Sequence, residues 1–247
     1  MSPEFAALSA ICQVSNQEKP NICCRAVEFQ NFNFFDLDLI WRELTLTCQY
    51  DRTIYHQKQK YYSQIGKFEC PKLPNQQQII HDNGVYVILG GSGGIGRQLS
   101  ISLAQKHKNI KLIWMSRSDV FIPDECNLDE IKKSLPQNDN EWYEKISAVI
   151  DIKKSGGTIE CYSLDISNSH EFRKAIHNVL SKHGRINGII NCAGNAGSGL
   201  IANKNYSALM EVIRPKINIC TEIEKLGISL DFLILFSSVS SMIGGIG

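Results

Sequence analysis

A doubly wound parallel sheet of the α/β class is predicted for the larger part of the chain by two observations. From Gly84 onward, short apolar runs alternate with segments of helical periodicity, and a glycine-rich stretch, GGSGGIG at 90–96, separates the first run from the first helix. The runs VYVIL (85–89), IKLIWM (110–115), IECYSL (159–164), INGIIN (186–191) and DFLILF (231–236) are apolar on both faces. Strands covered by helices on each side carry that pattern. A repeated strand–helix–strand order sets such strands parallel.

Taken in chain order, the first 80 residues are mixed. FNFFDLDLIWRELTL has the character of a buried segment, whereas RTIYHQKQKYYSQIGKF alternates tyrosines with basic and polar residues, and neither has a clear period. The polar stretch PKLPNQQQIIHDNG then marks a boundary near residue 80. Residues 1–80 therefore read as a smaller upstream unit with its linker, and 81–247 as the main domain. The helix opened by the glycines carries Ile95, Leu99 and Leu103 on one side, and residues 119–148 have the composition of a polar helical insertion after the second strand. Further on, Phe172, Ala175, Ile176, Val179 and Leu180 follow i, i+3, i+4, i+7, i+8 spacing, one apolar helix face. Asn168 with Glu171 is placed to cap that helix and Gly184 to stop it.

Composition excludes several classes. At 43% hydrophobic and 21% charged, the 247 residues are globular in character rather than disordered. Lys+Arg 26 against Asp+Glu 25 leave a net charge of +1, so no long-range field recruits nucleic acid or an anionic membrane. The nine cysteines lack CxxC and Cys/His ligand spacing, which argues against a metal site and for reduced thiols in the cytoplasm. The N-terminus has neither a charged nor a sustained apolar signal region, and no apolar run approaches about 18 residues, so neither secretion nor membrane spanning is expected.

The candidate chemistry lies at successive strand ends. In Gly90-Gly91-Ser92-Gly93-Gly94-Ile95-Gly96, glycines would let the backbone approach a pyrophosphate while the helix N-terminus supplies N–H groups and positive potential. Both GxGxxG (Gly91, Gly93, Gly96) and GxxxGxG (Gly90, Gly94, Gly96) fit, and the alternative is a flexible turn. About 20 residues further on, Ser116-Arg117 stands where a carboxylate would hold the ribose of NAD. A guanidinium there suits the 2′-phosphate of NADPH, unless it is an ordinary exposed arginine. Asp165, followed by Ile166, ends the third strand and suits either an adenine contact or a helix cap. Asn191-Cys192-Ala193-Gly194 ends the fourth with small residues at the carboxyl edge, where a cofactor lies in such sheets. The fifth ends in Ser237-Ser238-Val239-Ser240-Ser241, hydroxyls that either face the same crevice or serve as turn and cap residues.

YVILGGSGGIG, WMSRS, LDIS, GIINCAG and FLILFSSVSS together resemble the short-chain dehydrogenase/reductase family. RPK at 214–216, SLDFLILFSSVSS and the upstream KYYSQIGKFECPKLP are similar to its polyketide-synthase ketoreductase branch, over about residues 50–247. The resemblance implies a Rossmann-type domain, incomplete at the C-terminus, preceded by part of a noncatalytic structural subdomain. It implies NADPH-dependent reduction of a β-ketoacyl group on an acyl carrier protein, in polyketide or fatty-acid-like biosynthesis. Neighbouring domains of a multidomain synthase would be the partners, with no nucleic acid or membrane. By position, Ser238 would hydrogen-bond the substrate carbonyl, and Lys216 would tune a tyrosine and orient the nicotinamide ribose. The cofactor would rest on Gly90 to Gly96, Ser116, Arg117, Asp165, Ile166, Asn191, Ala193 and Gly194. The tyrosine and asparagine of the branch fall a few positions beyond Gly247, so these 247 residues alone are expected to be inactive. Leu89 departs from a common threonine, and Ala196-Gly197-Ser198 from the Leu-Asp-Asp of one stereochemical class. A noncatalytic scaffold or cofactor-binding fragment and a free-standing carbonyl reductase are the alternatives, the latter opposed by the long upstream segment.

Overall fold

The computed structural model describes residues 3–30, 37–45, 52–57, 59–62, 65–67, 69, 79–120, 140–195, 197 and 199–245. Two compact units are formed. The first comprises Met1–Pro74, Ser198–Asn205 and Ser237–Gly247, and the second Asn75–Gly197 with Tyr206–Phe236.

In the first unit, α1 (Pro3–Glu18), β1 (Ala26–Gln30), α2 (Leu37–Thr45), β2 (Arg52–His56) and β3 (Gln59–Tyr62) follow one another. β1 pairs parallel with β2, and β2 antiparallel with β3. The alternation in RTIYHQKQKYY is thus that of a hairpin, with Thr53 and Tyr55 on its buried face. The apolar segment before it does not bury as its composition suggested. Leu37, Trp41 and Leu44 of α2 are exposed, while Glu43 is buried. Glu43 faces inward because its carboxylate accepts from the Tyr55 hydroxyl at 2.6 Å and the Lys60 ammonium at 2.6 Å, with Arg25 at 3.2 Å; a buried charge persists only when it is paired in this way. Burial pushes the Glu43 carboxyl up, but Lys60, Tyr55 and Arg25 outweigh it and hold the group below its usual value. Burial and the same carboxylate raise the Tyr55 phenol to about 12. The FNFF part of the segment lies outside the described residues.

The second unit carries the predicted Rossmann-type sheet. Its elements are β4 (Val85–Leu89), α3 (Gly94–Lys106), β5 (Lys111–Ser116), α4 (Asn140–Lys154), β6 (Thr158–Ser163), α5 (Ser169–His183), β7 (Gly188–Asn191), α6 (Tyr206–Leu226) and β8 (Phe232–Leu235). The sheet order is β6-β5-β4-β7-β8, and every pairing is parallel. Alternate side chains of the central strands feed two cores. Tyr86, Ile88, Leu112 and Trp114 pack with Leu103 of α3 and Ile146 and Val149 of α4. On the opposite face, Val87, Leu89, Ile113 and Met115 pack with Phe172 and Ile176 of α5 and Ile219 of α6. Helices on both faces are what the continuous apolar runs required. The Asn168 side chain accepts from the N–H groups of His170 and Glu171, and Gly184 ends α5 at φ 76°.

Three local expectations are corrected. Ile95 is 58% exposed, because α3 turns Gly96, Ser100 and Leu103 toward the sheet instead. Of the expected polar insertion at 119–148, residues 121–139 lie outside the described residues, and its end is the start of α4, which buries Ile146, Val149 and Ile150 as an ordinary crossover helix. β8 is an edge strand among the described residues, and Leu233, Ile234, Leu235 and Phe236 are each 39–46% exposed. No helix of the described residues is long and apolar enough to cross a membrane.

Candidate functional site

The chain leaves β4 toward β5 and β6 on one side and returns to β7 and β8 on the other, so a crevice opens between the carboxyl ends of β4 and β7. Gly90 sits at this switch with φ 73°, and a Cβ there would lie 2.8 Å from Ala193 Cα. Gly96 is equally constrained, since its Cβ would meet the Gly90 carbonyl at 2.5 Å. Gly91 backs onto the buried Trp114 indole. That indole N–H donates to Ser100 Oγ at 2.8 Å, and the Ser100 hydroxyl donates to the Gly96 carbonyl at 2.6 Å, a buried chain that ties β5 to the first turn of α3. Arg97 donates to the Ser92 carbonyl at 2.7 Å and pairs with Glu144 of α4. Gly94, by contrast, has nothing within 4 Å of its Cβ position. Among the described residues no side chain caps α3 at Gly93, so its first N–H groups and the open face at Gly94 form a cradle that fits a pyrophosphate.

A cavity of about 540 Å³ lies against this loop. Its walls come from the ends of β4, β5, β6 and β7, from Glu141 at the start of α4 and from the first half of α6, all within the second unit. Of the residues singled out from sequence, Gly90, Ser92, Gly93, Ser116, Arg117, Asp165, Ile166, Ala193 and Gly194 line it. Arg117 is exposed and donates to Asn195 Oδ1 at 2.8 Å. Asp165 accepts from the Ser167 N–H at 2.9 Å and hydroxyl at 2.7 Å, the turn that leads into α5, while Asn168 supplies the cap itself. Burial raises the Asp165 carboxyl, but the two Ser167 bonds and the charges of Arg117 and Arg214 prevail and hold it below its usual value.

The remaining candidates stand apart from the lining. Asn191 is buried behind it, accepting from the Ala193 N–H at 3.0 Å and donating to the Pro215 carbonyl at 3.5 Å, so it fixes the NCAG turn to α6. Gly91, Gly94, Ile95 and Gly96 belong to the loop and helix start behind and beside the cavity. Lys216 passes over the same turn, its Cε 3.7 Å from a Cβ built on Gly194. Ser238 belongs to the first unit, where its hydroxyl accepts the Ser240 N–H at 3.2 Å at the start of α7 (Ser240–Ile243). Ala196 and Ser198 lie outside the described residues. Sequence reasoning missed Ser118, Glu141, Tyr206, Glu211 and Arg214, which also line the cavity. Of these, only Ser118 and Arg214 carried a signal, being next to Arg117 and within RPK. Burial raises the thiol of Cys192, also in the lining, to about 11, which leaves it protonated and unreactive near neutral pH. Among the described residues no group of His, Cys, Asp and Glu could hold a metal ion.

A profile of the KR domain family matches residues 84–247. Polyketide synthase PksN of Bacillus subtilis is 30% identical over 168 residues, 67% of this chain and 3% of PksN. PksM of the same organism is 26% identical over 210 residues, 84% of this chain and 4% of PksM. Among solved structures, a ketoreductase domain from the bacillaene assembly line shares the fold with TM-score 0.78 at 21% identity, over 98% of this chain and 53% of that one. An N-terminal ketoreductase from the macrolactin assembly line gives 0.72 at 26% identity, over 98% and 45%. The chain thus spans a few per cent of the synthases and about half of the solved domains. With the profile running unbroken from the start of β4 through the serine-rich turn after β8, this chain belongs to the KR domain family, ketoreductases of the short-chain dehydrogenase/reductase type that occur in polyketide synthases.

Proposed function

We propose that this chain binds NADPH for reduction of a β-ketoacyl group tethered to an acyl carrier protein, as part of a multidomain cytoplasmic synthase. Residues 1–80 would be part of a noncatalytic structural subdomain and 81–247 the cofactor-binding domain. The observation that carries the reading is Arg117, which lines the cavity at the end of β5 where an NAD-specific fold places a carboxylate. Its guanidinium, flanked by Ser116 and Ser118, offers a planar donor set for a 2′-phosphate. The first turn of α3 would hold the pyrophosphate, and Asp165 and Ile166 would border the adenine. Lys216, crossing Gly194, would orient the nicotinamide ribose, and Ser238 would donate to the substrate carbonyl. When bound, the nicotinamide supplies the hydride. No tyrosine follows Ser238 within these 247 residues, so the reading expects cofactor binding without turnover from this stretch alone.

Calorimetric titration tests the reading directly. NADPH should bind more tightly than NADH, and Arg117→Ala should weaken NADPH at least tenfold, since one charge-assisted hydrogen bond is worth about 1.5–3 kcal/mol. NADH should bind Arg117→Ala almost as before; equal losses for both cofactors would overturn the assignment.

A further inference from the structure

We propose that Lys145 is a second cation for the 2′-phosphate, delivered through Ser118 and guarded by Glu141, which makes α4 part of the selectivity for phosphorylated dinucleotides. This rests on the dinucleotide reading above and deepens it. Lys145 lies on α4 with its side chain 12% exposed. Its ammonium donates to Ser118 Oγ at 3.2 Å and pairs with Glu141 Oε1 at 2.6 Å. Ser118 and Glu141 both line the cavity that Arg117 lines, so the ammonium stands one hydroxyl behind the wall, on the side where the phosphate would sit.

Charge decides what this arrangement suits. A phosphomonoester carries about −1.5 to −2 charges at neutral pH. Arg117 supplies one positive charge, and part of it is already directed at the Asp165 carboxylate. Arg214 also lines the cavity, on α6, but it too acts on Asp165, and the lining holds the carboxylates of Glu141, Asp165 and Glu211, so a ligand held by Arg117 alone at the end of β5 would leave most of a negative charge unmatched there. Lys145 is the cation hydrogen-bonded to the adjacent Ser118. Its partner Glu141 is 74% exposed, and an ion pair of that kind along a helix surface is weak, so the carboxylate can return to water when a phosphate arrives. The ammonium itself has little freedom to leave. α4 is pinned beside the glycine loop by Glu144, which pairs with the same Arg97 that holds the Ser92 carbonyl. Glu141 is then an internal competitor, a carboxylate that a dianionic phosphate displaces and a bare ribose hydroxyl does not.

The test titrates the 247-residue protein with adenosine 2′,5′-bisphosphate and, separately, 5′-AMP, which differ only in the 2′-phosphate. Lys145→Met should weaken the bisphosphate about fivefold or more and change 5′-AMP less than about twofold, while Lys145→Arg should restore most of the difference. Glu141→Gln should tighten the bisphosphate by about twofold to threefold and leave 5′-AMP unchanged. Arg117→Ala is measured alongside. If it fails to discriminate between the two ligands, the dinucleotide reading itself falls. If it discriminates and Lys145→Met weakens both ligands alike, or neither, Lys145 is only a helix ion pair and this inference is overturned. Should Lys145→Met not fold, Glu141→Gln decides, and an unchanged bisphosphate affinity rejects the proposal.

Discussion

Gly90 and Gly94 stand in one loop and need to be glycine for different reasons. At Gly90 the backbone is left-handed and a side chain would run into Ala193, so the constraint belongs to the fold. We expect Gly90→Ala to cost about 1–3 kcal/mol in stability, read from denaturant midpoints, whether or not any ligand is present. Gly94→Val should leave the unfolding midpoint nearly unchanged, because nothing lies within 4 Å of the new Cβ, and should abolish NADPH binding by occupying the open face of the cradle. A folded Gly94→Val protein that binds NADPH normally would show that the loop is only a turn. The sequence named both glycines but could not separate their roles, since GxGxxG and GxxxGxG, though differently spaced, both fit the same stretch. The Trp114–Ser100 bond was out of reach for a related reason. Its partners lie 14 residues apart on a strand and a helix, and only the phase of α3, misread at Ile95, brings them together.

At the scale of elements, α5 and α6 are joined by a buried carboxylate. Glu222 of α6 is 4% exposed and accepts from Arg173 Nε at 2.5 Å, with Lys225 at 3.2 Å. The Arg173 bond lowers its pKa to about 2, against an opposing effect of burial and with help from Lys225. A carboxylate depressed in the folded state from 4.5 to about 2 contributes its stability fully above the higher value and loses it as pH falls through the lower one. The urea midpoint should therefore fall with acid between pH 4.5 and 2 more steeply in the wild type than in Glu222→Gln. Parallel acid profiles for the two proteins would dissociate this group from the acid limb. How far such elements could be read in advance depended on their surroundings. β4, buried on all five residues, was read to the residue, and α5 was read with both caps, because continuous burial and capping chemistry leave local marks. α2 and β8 were misjudged because composition records how apolar a segment is, not what covers it. In α2 the buried side chain is the charged Glu43, held by partners from β2 and β3 that its own sequence does not announce.

For the whole molecule, the cavity wall joins residues from Gly90 to Pro215, gathered by the parallel topology from positions far apart in the chain. The strand ends were legible because a Rossmann-type order fixes which loops converge. The α6 contribution was not, because nothing in YSALMEVIRP shows which helix face meets the crevice. That geometry gives a test of the whole arrangement by hydrogen exchange. A ligand that binds only the closed site adds RT ln(1 + [L]/Kd), about 2.7 kcal/mol at a hundredfold excess over Kd, to every opening that breaks the site. Openings that leave the site intact gain nothing, so protection maps the elements that form it. With saturating NADPH, amides at 90–96, 116–118, 164–167 and 193–195 and in the first half of α6 should slow by up to about a hundredfold. Amides of β1–β3, none of which lines the cavity among the described residues, should keep their rates. Gly94→Val should show no such slowing. Protection that spreads evenly through β1–β3, or spares residues 90–96, would mean that the dinucleotide binds elsewhere and that this cavity serves another ligand.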